Sequence, residues 1–194
     1  MIDEAVDSKL AALCLLVAPC AQRSSILLEE FLRVLELRYR LDGDQRIWCM
    51  QMLTNEESRR REPDMIGEAM GEALGTGECQ FLWDIIDWFL DDTAIKERFL
   101  EDLGELGQVP EEGCRLFTQE AVRAFEMIGL RPTFDASAVQ KAFRDSMLLI
   151  HPDAATSVGL SRDEVLRAEE LSKKVIGARK MILSFYRGFE QDTV

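Results

Sequence analysis

Residues 135 to 153 decide the fold of the second half of the chain, and they read DASAVQKAFRDSMLLIHPD. Apolar side chains recur every three or four positions, which is the period of an amphipathic helix. They are Val139, Ala142, Phe143, Met147 and Ile150. Pro152 has no backbone N–H and disfavours helical geometry at the residue before it. The stretch therefore predicts a helix that begins near Asp135 or Ser137 and stops at the turn His151-Pro152-Asp153.

Helical signals flank this stretch on both sides. Upstream, Thr118 is suited to cap a short helix that Gly129 ends. Downstream, Ser161-Arg-Asp-Glu164 has the spacing of a capping box, in which two side chains satisfy free backbone N–H groups. The helix that follows is predicted to run through Leu166, Leu171, Val175, Ala178 and Ile182. Residues 117 to 190 are thus predicted to form a short helix followed by an antiparallel helical hairpin with an exposed loop.

This pattern resembles the J domain of DnaJ-type co-chaperones. The run Phe125-Glu-Met-Ile-Gly-Leu130 resembles the first-helix motif of the family, and Lys141-Ala-Phe-Arg144 resembles its second helix. The tripeptide His151-Pro152-Asp153 matches its hallmark motif. The run from Gly159 to Ile182 resembles the longer loop and third helix of DjlA-like members. The resemblance implies a J domain at residues 117 to 190.

A J domain implies a docking function. In the family, the tripeptide (here His151, Pro152 and Asp153) engages a DnaK-type chaperone near its ATPase domain and interdomain linker, which promotes ATP hydrolysis. Lys141 and Arg144 would meet an acidic patch on that chaperone. Proline fixes the backbone of such a turn, aspartate offers a carboxylate to a cationic partner, and histidine can hydrogen-bond nearby. None of these residues is expected to be a catalyst.

Plainer interpretations of the same residues stay open. The tripeptide can be a helix stop with a solvated turn, and the two basic residues can be a solvated helix face. Asp145 and Leu149 stand where the family commonly has basic residues, and Arg179 stands where its third helix usually has an aromatic one. The alternative function is therefore a non-chaperone adaptor or interaction protein with a degenerate J fold.

Residues 1 to 110 are also helical by periodicity, so we expect an all-α protein. The predicted segments are a buried helix at Leu10–Ala18, an amphipathic helix at Leu27–Tyr39 ended by a turn at Asp42–Asp44, and a hairpin of helices over Phe81–Leu90 and Ile95–Leu106. They resemble the TerB-like helical region that precedes the J domain in DjlA-like proteins. The Asp-Gly turns regarded as metal-binding candidates in TerB modules are missing from the corresponding loops. We therefore expect no metal site, and a metal-responsive sensor is the least favoured function.

Charge separates the two parts of the chain. Residues 1 to 115 hold 25 acidic and 12 basic side chains, whereas residues 116 to 194 hold 11 of each. The acidic first part repels phosphate backbones and anionic lipid headgroups, which argues against nucleic-acid and membrane-surface binding. Its expected partner is a client protein or another protein of neutral or basic surface.

The remaining features exclude several classes. Five cysteines are an odd number without a C-x-x-C pair, so we expect buried thiols in a reducing cytoplasm. The apolar run Leu10–Ala18 follows Asp3, Glu4 and Asp7, unlike a signal peptide, and is shorter than the roughly 20 residues of a membrane span. No catalytic triad or phosphate loop is present, so we expect neither an enzyme nor a cofactor.

Overall fold

The computed structural model describes residues 4–55, 76–105, 116–151 and 161–191. These residues form eight α-helices and contain no strand, so the predicted all-α class is confirmed for them. The helices are α1 (Glu4–Ala21), α2 (Ser25–Tyr39), α3 (Gly43–Thr54), α4 (Thr76–Phe89), α5 (Thr93–Glu105), α6 (Gln119–Met127), α7 (Ala136–Ile150) and α8 (Arg162–Gln191).

The helices divide into two compact units. The first contains α1 to α5 except for Leu37–Tyr39 at the end of α2, and it extends to Leu116. The second contains α6 to α8, from Phe117 onward, together with Leu37–Tyr39. Residues 106–115, where the sequence predicts the first domain to end, lie outside the described residues.

Helix α1 is the buried centre of the first unit and packs against α3 and α4. One face has no exposed surface, and its residues recur every three or four positions, as the buried face of a helix must. They are Leu10, Leu13, Cys14, Val17 and Ala18. The predicted buried helix over this run is therefore confirmed. No helix in the described ranges, α1 included, combines the length and apolarity needed to cross a bilayer.

The connection between α2 and α3 differs from its prediction. Helix α2 ends at Arg40, whose backbone is left-handed (φ 51°, ψ 46°). Asp42 is the N-cap of α3: its carboxylate accepts from the Gln45 N–H at 2.8 Å, and the Gln45 side chain accepts from the Asp42 N–H at 3.2 Å. The predicted turn at Asp42–Asp44 was wrong because this reciprocal capping box draws Gly43 and Asp44 into the first turn of α3.

Helices α4 and α5 form the predicted hairpin. Leu82, Ile85 and Ile86 of α4 have no exposed surface. Lys96 at the start of α5 reaches back to the end of α4, where its ammonium donates to the carbonyl of Asp87 at 2.7 Å and to the carboxylate of the same residue at 2.8 Å. A cation at a helix C-terminus is stabilised by the free carbonyls there. This one side chain therefore ties the two helices together at their turn.

Helix α6 opens the second unit and has the predicted caps at both ends. The Thr118 hydroxyl accepts a hydrogen bond at 3.2 Å from the backbone N–H three residues later. Gly129 has φ +69°, a conformation that costs glycine little. Its N–H donates to the Glu126 carbonyl, and the N–H of Leu130 donates to the Phe125 carbonyl, both at 3.0 Å. This pair of bonds is a Schellman motif, and it ends α6.

The core of the second unit is aromatic. Helix α8 packs on both α6 and α7, and its C-terminal half contributes three rings to an aromatic cluster, of which Tyr186 is buried and Phe185 and Phe189 are partly exposed. The cluster, with ring centroids between 4.9 and 6.3 Å apart, consists of Phe117, Phe125, Phe134, Phe185, Tyr186 and Phe189. The Tyr186 hydroxyl donates to the Thr133 carbonyl at 2.6 Å. Each buried ring supplies about 1.5–3 kcal/mol of transfer free energy, so the cluster is the main anchor of α8.

The apolar stripe of α8 begins later than predicted. Leu166 and Leu171 are 51% and 44% exposed and are not part of the core. The buried positions start at Ser172 and continue with Val175, Ala178, Ile182 and Tyr186. Periodicity identified the correct helix, but burial along it depends on where α6 and α7 lie beside it.

Candidate functional site

The predicted docking turn begins where α7 ends. His151 is the C-cap of α7, is exposed, and has an extended backbone with φ −64° and ψ 132°. A residue before proline is biased away from helical ψ, which explains why α7 stops there. Pro152 and Asp153 of the predicted site lie outside the described residues. His151 therefore stands at the point where α7 ends, with its own backbone already extended.

The register of α7 is fixed at its other end. Asp135 is the N-cap, and its carboxylate accepts from the backbone N–H groups of Ser137 and Ala138 at 2.9 and 3.0 Å. The predicted start near Asp135 is confirmed. Because α7 runs without interruption from this cap to Ile150, the cap decides which side chains share each face.

One exposed face of α7 carries both predicted basic residues and leads to the histidine. Lys141, Arg144, Leu148 and His151 follow one another at spacings of three, four and three residues, which places them along one side of the helix. All four are exposed, and Leu148 is 75% exposed. We call these four residues the α7 outer face. It offers two cations, one apolar side chain and one imidazole to solvent, and the exposed carboxylate of Asp145, four residues after Lys141, lies on the same side of the helix.

The inner face of α7 is only shallowly buried. Val139 is buried, whereas Ala142, Phe143, Met147 and Ile150 of the predicted stripe are partly exposed. Leu149, beside the outer face, is 86% exposed. The C-terminal part of α7 therefore has little apolar contact to hold it in place.

Two serine hydroxyls hold that end of α7 instead. Ser146 donates from Oγ to the Ile128 carbonyl at the end of α6 at 3.3 Å. Ser172 on α8 is buried, with 6% of its surface exposed, and donates from Oγ to the Ile150 carbonyl at 3.0 Å. Neither serine was predicted from the sequence as part of the site. The position of Ser172, three residues before Val175 on the buried stripe of α8, indicates only that its side chain is buried.

The chain returns to helix at a second local motif. Ser161 donates to Oε2 of Glu164 from its backbone N–H at 2.8 Å and from its hydroxyl at 2.6 Å. The Glu164 N–H donates back to the Ser161 hydroxyl at 3.4 Å. The predicted capping box is confirmed, and the serine hydrogen bonds hold the pKa of the Glu164 carboxyl below its usual value. The start of α8 is thus fixed by local hydrogen bonding, whereas the end of α7 is held by Ser172, 22 residues away in sequence.

The α7 outer face suits recognition of another macromolecule. Exposed cations and an exposed leucine complement an acidic surface that has an apolar patch. Within the ranges that the structure describes, no group of three His, Cys, Asp or Glu side chains is arranged to hold a metal ion.

Comparisons of the chain with protein-family models, with curated proteins and with solved structures gave no significant match. The function is therefore inferred from the residues and the geometry of the second unit.

Proposed function

We propose that the chain is a J-type co-chaperone that docks on a DnaK-type chaperone through the α7 outer face and the His151-Pro152-Asp153 turn, and thereby stimulates ATP hydrolysis by that chaperone. The observation that carries the proposal is the exposed His151 at the end of α7, in line with Lys141 and Arg144 on one helix face. The order of elements supports it as well: a short capped helix, a second helix ending at the tripeptide, and a third helix packed on both.

Docking would combine attraction of charges with a small apolar contact. Lys141 and Arg144 would steer the α7 outer face toward an acidic surface of the chaperone, and rim charges of this kind act mainly on the association rate and its salt dependence. Leu148 would lose its exposed surface in the complex, which contributes affinity that salt does not screen. Stimulation is therefore expected to weaken with salt without vanishing.

The first unit is proposed to be a TerB-like helical domain that binds a client or positions the co-chaperone. Its charge supports a protein partner of neutral or basic surface, since residues 1 to 115 carry the whole acidic excess of the chain. The same charge argues against nucleic acid as a partner, and the five cysteines without a C-x-x-C pair support the proposal that the protein acts in a reducing cytoplasm.

The test is the steady-state ATPase rate of the cognate DnaK-type chaperone with increasing amounts of the purified full chain. Wild type is expected to raise the rate, and Asp153→Asn is expected to return it to the basal value. Glu126→Gln is the matched control, because it removes an exposed carboxylate from α6, away from the α7 outer face. Equal rates with wild type and Asp153→Asn would exclude this function for the second unit.

A second candidate function is an adaptor that retains the J fold without acting on a chaperone. The observation that favours it is the side chains beside the predicted basic residues: Asp145 is exposed and Leu149 is 86% exposed, where the family commonly has cations. A native pull-down distinguishes the two functions. Recovery of a non-chaperone partner that His151→Gln leaves unchanged would support the adaptor, whereas recovery of a DnaK-type chaperone that His151→Gln abolishes would support the co-chaperone.

A further inference from the structure

Ser172 is the one polar side chain of the second unit, among its described residues, that lies in the buried class. A buried hydroxyl loses its water and needs a hydrogen-bond partner, otherwise it costs stability. Its partner is the carbonyl of Ile150, which is 22 residues away in sequence and directly precedes His151. This hydrogen bond from α8 is thus made to the residue that directly precedes the proposed docking turn.

The Ile150 carbonyl in turn needs a hydrogen-bond donor. It is one of the last four carbonyls of α7, which have no partner within the helix. A donor from α8 satisfies this carbonyl and also fixes how far the end of α7 lies from α8. Apolar packing does not supply this restraint, since Leu148 and Leu149 are 75% and 86% exposed and Ile150 is partly exposed.

We infer that Ser172 is a positioning residue for His151, the first residue of the proposed docking turn: its hydrogen bond to the Ile150 carbonyl sets where the end of α7 lies against α8. The inference rests on the proposed function for its consequence, but the restraint itself is a property of the free chain. Ser146 holds the preceding turn of α7 to the Ile128 carbonyl, so the two serines attach the end of α7 to α8 and to α6 respectively.

The experiment compares Ser172→Ala, Ser172→Thr and the control Ser184→Ala in the full chain. Alanine is smaller than serine and suits the helical position, so the variant is expected to fold, as circular dichroism will check. Threonine retains the hydroxyl and is the rescue variant. Ser184 is an exposed serine of the same helix, distant from α7's end, and controls for loss of a hydroxyl from α8.

The first readout is independent of any chaperone. Nitrogen-15 relaxation of the free chain is expected to give a backbone order parameter for His151 that falls toward about 0.6 in Ser172→Ala and stays near the wild-type value in Ser172→Thr and Ser184→Ala. An unchanged His151 amide in Ser172→Ala overturns the inference. If wild type does not stimulate a chaperone, the proposed function fails, and this readout still decides whether Ser172 positions His151.

The second readout is the concentration of co-chaperone that gives half-maximal ATPase stimulation. Ser172→Ala is expected to raise it about fivefold, the ratio that corresponds to one hydrogen bond of ordinary net strength, with the maximal rate unchanged. Ser172→Thr is expected to restore it. If Ser172→Ala stimulates the ATPase as strongly as wild type at every concentration, the inference is wrong, whereas the proposed function still stands.

Discussion

The guanidinium of Arg179 lies over the ring of Phe143, with 4.8 Å between Cζ and the ring centroid. The same guanidinium donates from Nη2 to Oε1 of Gln140 at 3.0 Å. Because Arg179 is on α8 and both of its partners are on α7, one side chain joins the two helices that flank the proposed docking turn.

Replacing Arg179 by methionine is expected to destabilise the second unit by about 1 kcal/mol, since methionine retains the apolar stem but loses the cation–π contact and the hydrogen bond. Lys180→Met is the control, because Lys180 is exposed on the same helix and its replacement is expected to change stability by less than about 0.5 kcal/mol. Equal effects of the two variants would show that the Phe143 contact adds nothing.

The measurement has to report on the second unit alone. All three tryptophans, Trp48, Trp83 and Trp88, lie in the first unit, so tryptophan fluorescence follows the unfolding of that unit. Hydrogen exchange of α7 and α8 amides under increasing urea, read by mass spectrometry, follows the second. Fluorescence of the same samples then serves as an internal check that the first unit is unaffected.

Two glycines of the second unit are expected to respond oppositely to alanine. Gly129→Ala should destabilise it by about 1 kcal/mol, because φ +69° strains any residue with a Cβ, although no atom lies within 4 Å of the added carbon. Gly177→Ala should stabilise it by about 0.5–1 kcal/mol, because Gly177 lies inside α8 with equal space around it. The same hydrogen-exchange experiment measures both changes in stability. If the two substitutions changed stability in the same direction, backbone conformation would not be what controls these sites.

Local signals in the sequence predicted the structure best. Thr118, Gly129, Asp135 and the Ser161–Glu164 box were all assigned correctly, because each acts on backbone groups within a few residues. Asp42 misled because aspartate favours both turns and N-caps, and only the hydrogen bonds with Gln45 distinguish them.

Tertiary features were harder to predict from the same sequence. Leu166 and Leu171 have helical spacing, but their burial depends on where the other helices lie beside α8. Ser172 was overlooked because its spacing from Val175 indicates a buried position but does not identify the carbonyl that its hydroxyl binds. For the site, the sequence correctly predicted where α7 begins and that it ends at His151. It did not predict the hydrogen bonds that hold the end of α7 to α6 and to α8, because these join residues far apart in sequence.

Cys14 and Cys49 are expected to be inert toward alkylating reagents in the native chain. Both thiols have no exposed surface, and a hydrogen bond between the two side chains together with burial raises the pKa of Cys14. Only the thiolate reacts, so these cysteines can be alkylated only after the first unit unfolds locally and exposes them. Iodoacetamide labelling followed by peptide mass spectrometry should be at least about 100-fold slower for Cys14 than for glutathione, and should reach the glutathione rate in denaturing urea.

The capping box at the start of α8 makes a small part of the stability depend on pH. Hydrogen bonds from Ser161 lower the pKa of Glu164 in the folded chain, so the folded state binds this proton less readily than the unfolded state does. The stabilisation is therefore complete above the unfolded pKa of about 4.3 and is lost as the pH falls through the lower folded value. We expect Glu164→Gln to speed hydrogen exchange in the first turn of α8 at pH 7. Below the folded pKa of Glu164, the exchange rates of the variant and of wild type should be equal.

A carboxyl titration of Glu164 by carbon-13 NMR tests the cause of this pH dependence directly. Ser161→Ala removes the hydroxyl donor and retains the backbone donor, and the hydroxyl is the larger influence on the pKa. The pKa of Glu164 should therefore rise in Ser161→Ala toward its usual value, while Ser184→Ala, which removes an exposed hydroxyl from a distant turn of the same helix, should leave it unchanged. An identical Glu164 titration in wild type and Ser161→Ala would mean that the low pKa arises from the backbone N–H of residue 161 and the α8 N-terminus rather than from the serine hydroxyl.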